Sequence, residues 1–252
     1  MTRTATVAAT AAVASTMLMG AGPAQAVGLG GSTADHPKRV ETGFTLSGKD
    51  ITDRTPHKPK DLGSKCKVPS GAKAKKVIYV NGTGGANATV QACEKWEGNY
   101  YEAHKAKGHV GYNGIAAKNK KREGDGKTPS GVFDMGYGFG VKAEPKQFGG
   151  SKYVKVTKDH VWVDGNATKG YNTLKRKSDG YKGESMYQTP AYNYGQVVNY
   201  NPKNTPGKGS GIFLHVNTGS GKTAGCVSVS QSAMLTLLDW EGSDSAQMAI
   251  VK

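Results

Sequence analysis

Acidic residues are scarce in this chain. Its 19 aspartates and glutamates face 34 lysines and arginines, which leaves a formal net charge of +15 at pH 7. A chain so basic suits polyanions, and charge alone does not choose among nucleic acid, lipid head groups and wall polymers. No nucleic-acid motif is present, and basic residues are not interleaved with aromatics in the stacking manner, which excludes the usual signatures of a nucleic-acid partner. Cysteine is rarer still, with 3 residues in 252. There is no C-x-x-C and no H-E-x-x-H, so a zinc centre would lack its ligands, and the sequence calls for neither a metal nor a cofactor. Long apolar runs are also missing after the first 20 residues, which excludes a stable membrane span further along.

What is present starts with an export pattern. Arg3 supplies a short positive segment, residues 5–20 are uncharged and rich in Ala and Val, and Ala24-Gln25-Ala26 has the form of a cleavage site. Residues 1–26 are therefore expected to be a signal peptide, placing the mature protein outside the cell or in the cell wall. The apolar stretch is short and alanine-rich for a transmembrane anchor, which needs about 20 strongly apolar residues. Residues 27–65 are polar, carry Pro37, Pro56 and Pro59, and read as a flexible spacer.

Folded patterning begins near Cys66. Short runs of strand formers, separated by Gly, Asn and Pro, predict strands over 77–80, 89–96, 100–104, 131–135, 153–156, 160–163, 196–200, 212–216 and 246–251. Turn signals stand at Asn81-Gly82, Gly84-Gly85 and Glu97-Gly98-Asn99. Only one segment has helical spacing: Met234, Leu235, Leu237, Leu238 and Trp240, preceded by the capping residues Ser230 and Ser232. The expectation is a mainly β domain over residues 66–252 with one main helix after Cys226. Long polar loops over 116–130 and 165–195 are expected to border a cleft.

An odd cysteine count in an exported chain means either an intermolecular bridge or a free thiol. Cys66 and Cys93 flank the first two predicted strands, and their spacing permits a bridge without requiring one. Cys226 then stands alone, in Lys222-Thr223-Ala224-Gly225-Cys226-Val227-Ser228. Glycine before it lets main-chain N–H groups approach a ligand. A nearby helix start and nearby cations would favour the thiolate. A buried structural cysteine is the competing reading. His215 tips the balance: a strand ending in His, a Gly-rich loop and a Gly-Cys turn can bring imidazole to thiol, with backbone donors beside the sulfur. The other histidines have no such partner.

The segment Gly211 to Ser230, G-I-F-L-H-V-N-T-G-S-G-K-T-A-G-C-V-S-V-S, resembles the catalytic motif of the L,D-transpeptidase (YkuD) family. Lys121 to Phe133, with its Thr-Pro-x-Gly, is similar to that family's loop before a central strand. Trp162-Val163-Asp164 with Tyr171-Asn172, and Pro206 to Ser210, are similar to a secreted actinobacterial-looking branch. The resemblance implies a β-sandwich-like catalytic domain acting on peptidoglycan stem peptides, with Cys226 as nucleophile, His215 as base, and the amides of Ala224, Gly225 and Cys226 as oxyanion hole. Tyr192, Tyr194 and Met186 are candidates to line the donor pocket, with Ser228 where the family often has Arg or Asn. Ala224 replaces the family's usual His, and the residue after His215 is Val216, so a backbone carbonyl must orient the ring. Three activities follow as alternatives: a transpeptidase making 3→3 crosslinks, a carboxypeptidase using water, and a non-catalytic module binding anionic wall polymers through its basic surface.

Overall fold

The computed structural model describes residues 58–252 apart from 147 and 149–152. The expected signal peptide and all of the spacer up to residue 57 lie outside the described residues. The rest of the expected spacer does not behave as one. Leu62 is buried, Gly63 N–H donates to Glu102 O at 2.7 Å, and Cys66 N–H donates to Tyr100 O at 2.9 Å. The polar composition hides this, because the contacts are made by backbone.

The first two strands, β1 (Lys76–Gly84) and β2 (Asn87–Trp96), form a hairpin, and β3 (Asn99–His109) continues it antiparallel. The strand runs through Asn81-Gly82, which the sequence marks as a turn, and reverses only after Gly84. The reversal falls there because Gly84 and Gly85 have φ of 118° and 55°, the region that favours glycine. β4 (Gly131–Gly140) and β5 (Tyr153–Lys155) come next, then β6 (His160–Trp162), β7 (Leu174–Arg176) and β8 (Glu184–Ser185), which make a separate small sheet in the order β7-β6-β8. β9 (Gly195–Val198), β10 (Phe213–Val216), β11 (Val227–Val229), helix α1 (Gln231–Glu241) and β12 (Ala246–Val251) complete the described chain.

The large sheet has the order β12-β1-β2-β3-β11-β10-β9-β4-β5, and β4 also pairs with β12. The strands of the expected mainly β domain thus form one sheet that closes on itself. β12 makes the closure, parallel to β1 on one side and antiparallel to β4 on the other. Mainly β structure with one helix after the cysteine is what the spacing predicts. The chain also adds β7, β8 and β11, each of three residues or fewer.

Alternation along the strands builds three buried clusters, two of which meet at β10. Leu214 and Val216 of β10, Val227 and Val229 of β11, Ile78 and Val80 of β1, and Met248 and Ile250 of β12 face the main core, with Met234, Leu237 and Leu238 of α1. The helix starts at Ser230, whose hydroxyl accepts from Ala233 N–H at 3.2 Å. On the opposite face of β10, Phe213 packs with Phe139, Trp162, Tyr192, Met186 and Cys226. Its ring meets those of Trp162, Phe139 and Tyr192 edge-on, at 4.8, 5.0 and 5.8 Å between centroids. Such contacts fix ring orientation as well as burying area, so the layer that carries the cysteine is rigid.

One buried acid is unrelated to that layer. Glu241, at the end of α1, is 1% exposed and accepts from Gln196 Nε2 at 2.8 Å, while its Oε2 and Gln196 Oε1 have no partner. Burial, opposed by Gln196 and Lys76, pushes its carboxyl up to about 7. A protonated Oε2 would donate to the vacant Gln196 oxygen. The native state therefore holds a proton that the unfolded chain releases near 4.5, and stability falls as pH rises from about 4.5 to about 7. Glu241→Gln supplies that donor permanently. It is expected to be more stable than the unmutated protein at pH 8 by about 3 kcal/mol and level with it at pH 4.5, as measured by urea unfolding.

Candidate active site

Strand parity decides what faces the second core. On β10, His215 follows Phe213 on the side away from Leu214 and Val216. On β11, Val227 and Val229 face the main core, so Cys226, just before the strand, points the other way. β10 and β11 run parallel with Leu214 opposite Val227 and His215 opposite Ser228. Cys226 and His215 accordingly line one cavity of about 300 Å³. Cys226 is a free thiol, because the disulfide joins Cys66 to Cys93.

The imidazole is held by backbone. His215 Nδ1 lies 2.8 Å from Val216 O, so the ring nitrogen that donates there leaves Nε2 as an acceptor. Tyr192 closes one side of the ring, edge-on at 5.5 Å between centroids. Burial lowers the imidazole below its ordinary value, against the pull of the Val216 and Ala191 carbonyls. The thiol is shifted the other way: burial first, then the nearby Glu184 carboxylate, push Cys226 up to about 12, against the Phe213 amide and the Lys121 ammonium. The resting pair is neutral. The sequence leads one to expect a thiolate, on the strength of a nearby helix start. Strand β11 intervenes between Cys226 and α1 and carries the helix end away from the sulfur. The thiol proton points to Gly211 O, at 3.1 Å from Sγ.

The turn carrying the cysteine is sewn to distant segments. Thr223 N–H donates to Val110 O at 3.0 Å, and Tyr112 N–H donates back to Thr223 O at 2.8 Å. Cys226 O accepts from two hydroxyls, Thr223 Oγ1 at 2.7 Å and Thr128 Oγ1 at 3.2 Å. Thr128 itself accepts from Gly111 N–H at 2.8 Å and is fully buried. The Thr-Pro motif thus supports the backbone of the cysteine. Thr128→Val removes both bonds and strands the buried Gly111 donor. It is expected to cost about 1 to 3 kcal/mol of stability by chemical denaturation and to slow thiol modification in the folded protein.

Gly225 is needed for space. Its φ is not in the left-handed region, but a Cβ there would stand 3.2 Å from Lys127 O and 3.4 Å from Ile212 Cδ1. Its N–H donates to Thr223 Oγ1 at 3.1 Å. Of the three amides expected to form an oxyanion hole, that one is engaged. Those of Ala224 and Cys226 make no hydrogen bond among the described residues.

Other expected residues fall elsewhere. Tyr194 packs against the main core, Met186 is fully buried in the second core beneath the site, and Ser228 is buried opposite His215 in the sheet register. None of the three lines the cavity. Tyr192 does. Tyr192 and Tyr194 precede β9, where two-residue alternation does not hold, so parity could not have separated them.

The cavity wall also holds residues that motif reading passes over. Tyr192 OH donates to Glu184 Oε1 at 2.6 Å, and Gln188 Nε2 donates to the same oxygen at 3.0 Å. Burial raises the Glu184 carboxyl against these bonds, helped by Asp164. Burial and the charge of Glu123 raise Asp164. Glu123 accepts from Tyr171 OH, and from Ser210 Oγ at 2.8 Å. In so basic a chain, a thiol cavity edged by three carboxylates, Glu123, Asp164 and Glu184, is unusual, although the exposed Lys222 stands on the same rim. Lys121 stands against it, 4% exposed, with Nζ bonded to Asp125 Oδ1 at 2.6 Å.

Asn172 ties this wall together. Its φ is 56°, a conformation asparagine tolerates. Oδ1 accepts from Trp162 Nε1–H at 3.1 Å and from Gly211 N–H at 3.0 Å. Nδ2 donates to Asn201 O and Asn204 Oδ1. Gly211, whose carbonyl accepts the thiol hydrogen bond, is therefore also held at its N–H.

No curated protein matches the chain. The profile of the L,D-transpeptidase catalytic domain (YkuD) matches residues 97–246, which takes in every residue of the cavity and more than half of the sequence, and the chain belongs to that family.

Proposed function

We propose that the protein is a peptidoglycan L,D-transpeptidase with Cys226 as nucleophile and His215 as base. The observation that carries this reading is a free thiol and an imidazole with an open Nε2 in one cavity edged by carboxylates. A stem tetrapeptide places its diaminopimelate carbonyl at Sγ, with the ammonium of that residue toward Glu184 and Asp164. The thiol turns from Gly211 O and gives its proton to His215 Nε2 as sulfur attacks the carbonyl. The Ala224 and Cys226 amides hold the oxyanion. The C–N bond to the terminal D-Ala breaks, and His215 returns the proton to the leaving amine. The side-chain amine of a second stem then attacks the thioester, His215 takes its proton, and the thiol is restored with a 3→3 crosslink formed.

The carboxylates favour an amine acceptor over water, because they concentrate ammonium groups where the thioester forms. The pattern of residues 1–26 supports export to the wall, where this substrate lies. The test is incubation of the purified protein with isolated disaccharide tetrapeptides and mass analysis of the products. Crosslinked dimers are expected. Tripeptide alone would mean hydrolysis, and unchanged tetrapeptide would mean a non-catalytic wall-binding role.

A further inference from the structure

A second cleft of about 420 Å³ shares a wall with the thiol cavity, and the shared residue is Lys121. The Lys121 ammonium lies 3.7 Å from the position a Gly225 Cβ would take, so the side chain common to both linings reaches the turn that carries Cys226. Their charges are opposite. The thiol cavity carries Glu123, Asp164 and Glu184 against Lys121 and Lys222, three acids to two bases, whereas the second cleft carries Lys121, Arg122, Lys203 and Lys208 and no carboxylate. None of the ion pairs among the described residues engages Arg122, Lys203 or Lys208.

The cleft is built and not merely a patch of lysines. Phe133 and Tyr200 form an aromatic pair in its lining, edge-on at 5.5 Å. The loop presenting Lys203 and Lys208 is tied from within. Asn201 Nδ2 donates to Thr205 O and Gly209 O at 2.9 and 3.1 Å, Asn201 Oδ1 accepts from Thr205 N–H at 3.1 Å, and Tyr200 OH donates to Lys208 O at 3.0 Å. Arg122 has its Nη1 on Asn119 O and Lys121 O, at 3.2 and 2.7 Å, which aims the guanidinium without neutralising it.

We propose that this cleft binds the C-terminal carboxylate of a stem peptide whose ammonium-bearing residue occupies the thiol cavity. The proposal rests on the functional reading above and names which end of the peptide goes where. Guanidinium and ammonium groups pair strongly with carboxylates, and more so where water is partly excluded. The side-by-side arrangement of acidic and basic pockets matches a zwitterion. A polymer bearing only anions would gain in one pocket and be repelled at the other.

The test uses the full chain with Cys226→Ser, which binds without turnover. Two diaminopimelate-containing tetrapeptides are titrated by calorimetry, one with a free C-terminal carboxylate and one with a carboxamide. The carboxylate form is expected to bind about 10-fold more tightly. Adding Arg122→Gln and Lys208→Gln should bring that ratio to about one. Adding Lys95→Gln and Lys107→Gln instead, on β2 and β3, removes the same charge and should leave the ratio intact. A ratio of one in the parent, an unchanged ratio in the Arg122/Lys208 variant, or an equal fall in both variants overturns the proposal while leaving the functional reading standing. Tight, Arg122-dependent binding of inorganic polyphosphate with no carboxylate preference overturns it in favour of a polyanion site. Failure of both peptides to bind overturns the functional reading as well.

Discussion

Cys226→Ser is expected to lower turnover of a tetrapeptide donor by at least about 10³-fold while leaving the fold intact. Serine fits the same space and can keep the bond to Gly211 O, but its hydroxyl is a far weaker acid than a thiol and His215 is a weakened base. No acyl adduct should then be found by mass spectrometry of the intact protein, whereas the unmutated protein should carry one on Cys226. The resting protonation state adds a second readout. With the thiol held up to about 12 by burial and by Glu184, iodoacetamide should modify Cys226 slowly at pH 7 and faster at each step to pH 10. A rate already at plateau below pH 7 would mean a preformed thiolate–imidazolium pair and would sink the neutral-pair description. Glu184→Gln removes the adjacent negative charge and should raise the rate at a given pH, while weakening the hold on any ammonium-bearing substrate.

The largest expected effect on stability comes from the other two cysteines. The Cys66–Cys93 bridge spans 27 residues, and chain-entropy reasoning assigns such a loop about 3 to 4 kcal/mol. Replacing both by alanine should shift the urea midpoint down and steepen the slope, because the uncrosslinked unfolded chain exposes more surface. The bridge lies with Val77, Tyr79 and Ala249 on the face of β1 and β12 remote from the main core, so acylation of Cys226 at low temperature should survive its loss. A double variant as stable as the parent would show that the packing of that cluster suffices alone.

Much of this was legible in the residues, and the limits have physical causes. Strands of four residues or more announced themselves by composition, and Ser230 with Met234, Leu237 and Leu238 announced the helix. β11, no shorter than β5 and β6, is hidden because Val227-Ser228-Val229 lies directly between the Gly-Cys turn and the helix cap Ser230. The closure of β4 on β12 joins residues more than a hundred positions apart, and local patterning carries no information about such pairing. At the site, His215 and Cys226 were readable together because one short loop connects them. Thr128, which holds the Cys226 carbonyl from 98 positions away, could be seen only as part of a motif, without its purpose. Tyr194 and Met186 were misplaced because aromatic and sulfur side chains pack as readily behind a pocket as around it.

That the sheet is sealed by β12 bears on how the fold can fail. β12 stands between β1 and β4, with hydrogen bonds to both. Until residues 246–251 are available, each of those strands has a bare edge, the condition that invites pairing with other molecules. Deleting residues 246–252, seven in all, is therefore expected to yield aggregated material, read by size-exclusion chromatography, and not a slightly destabilised monomer.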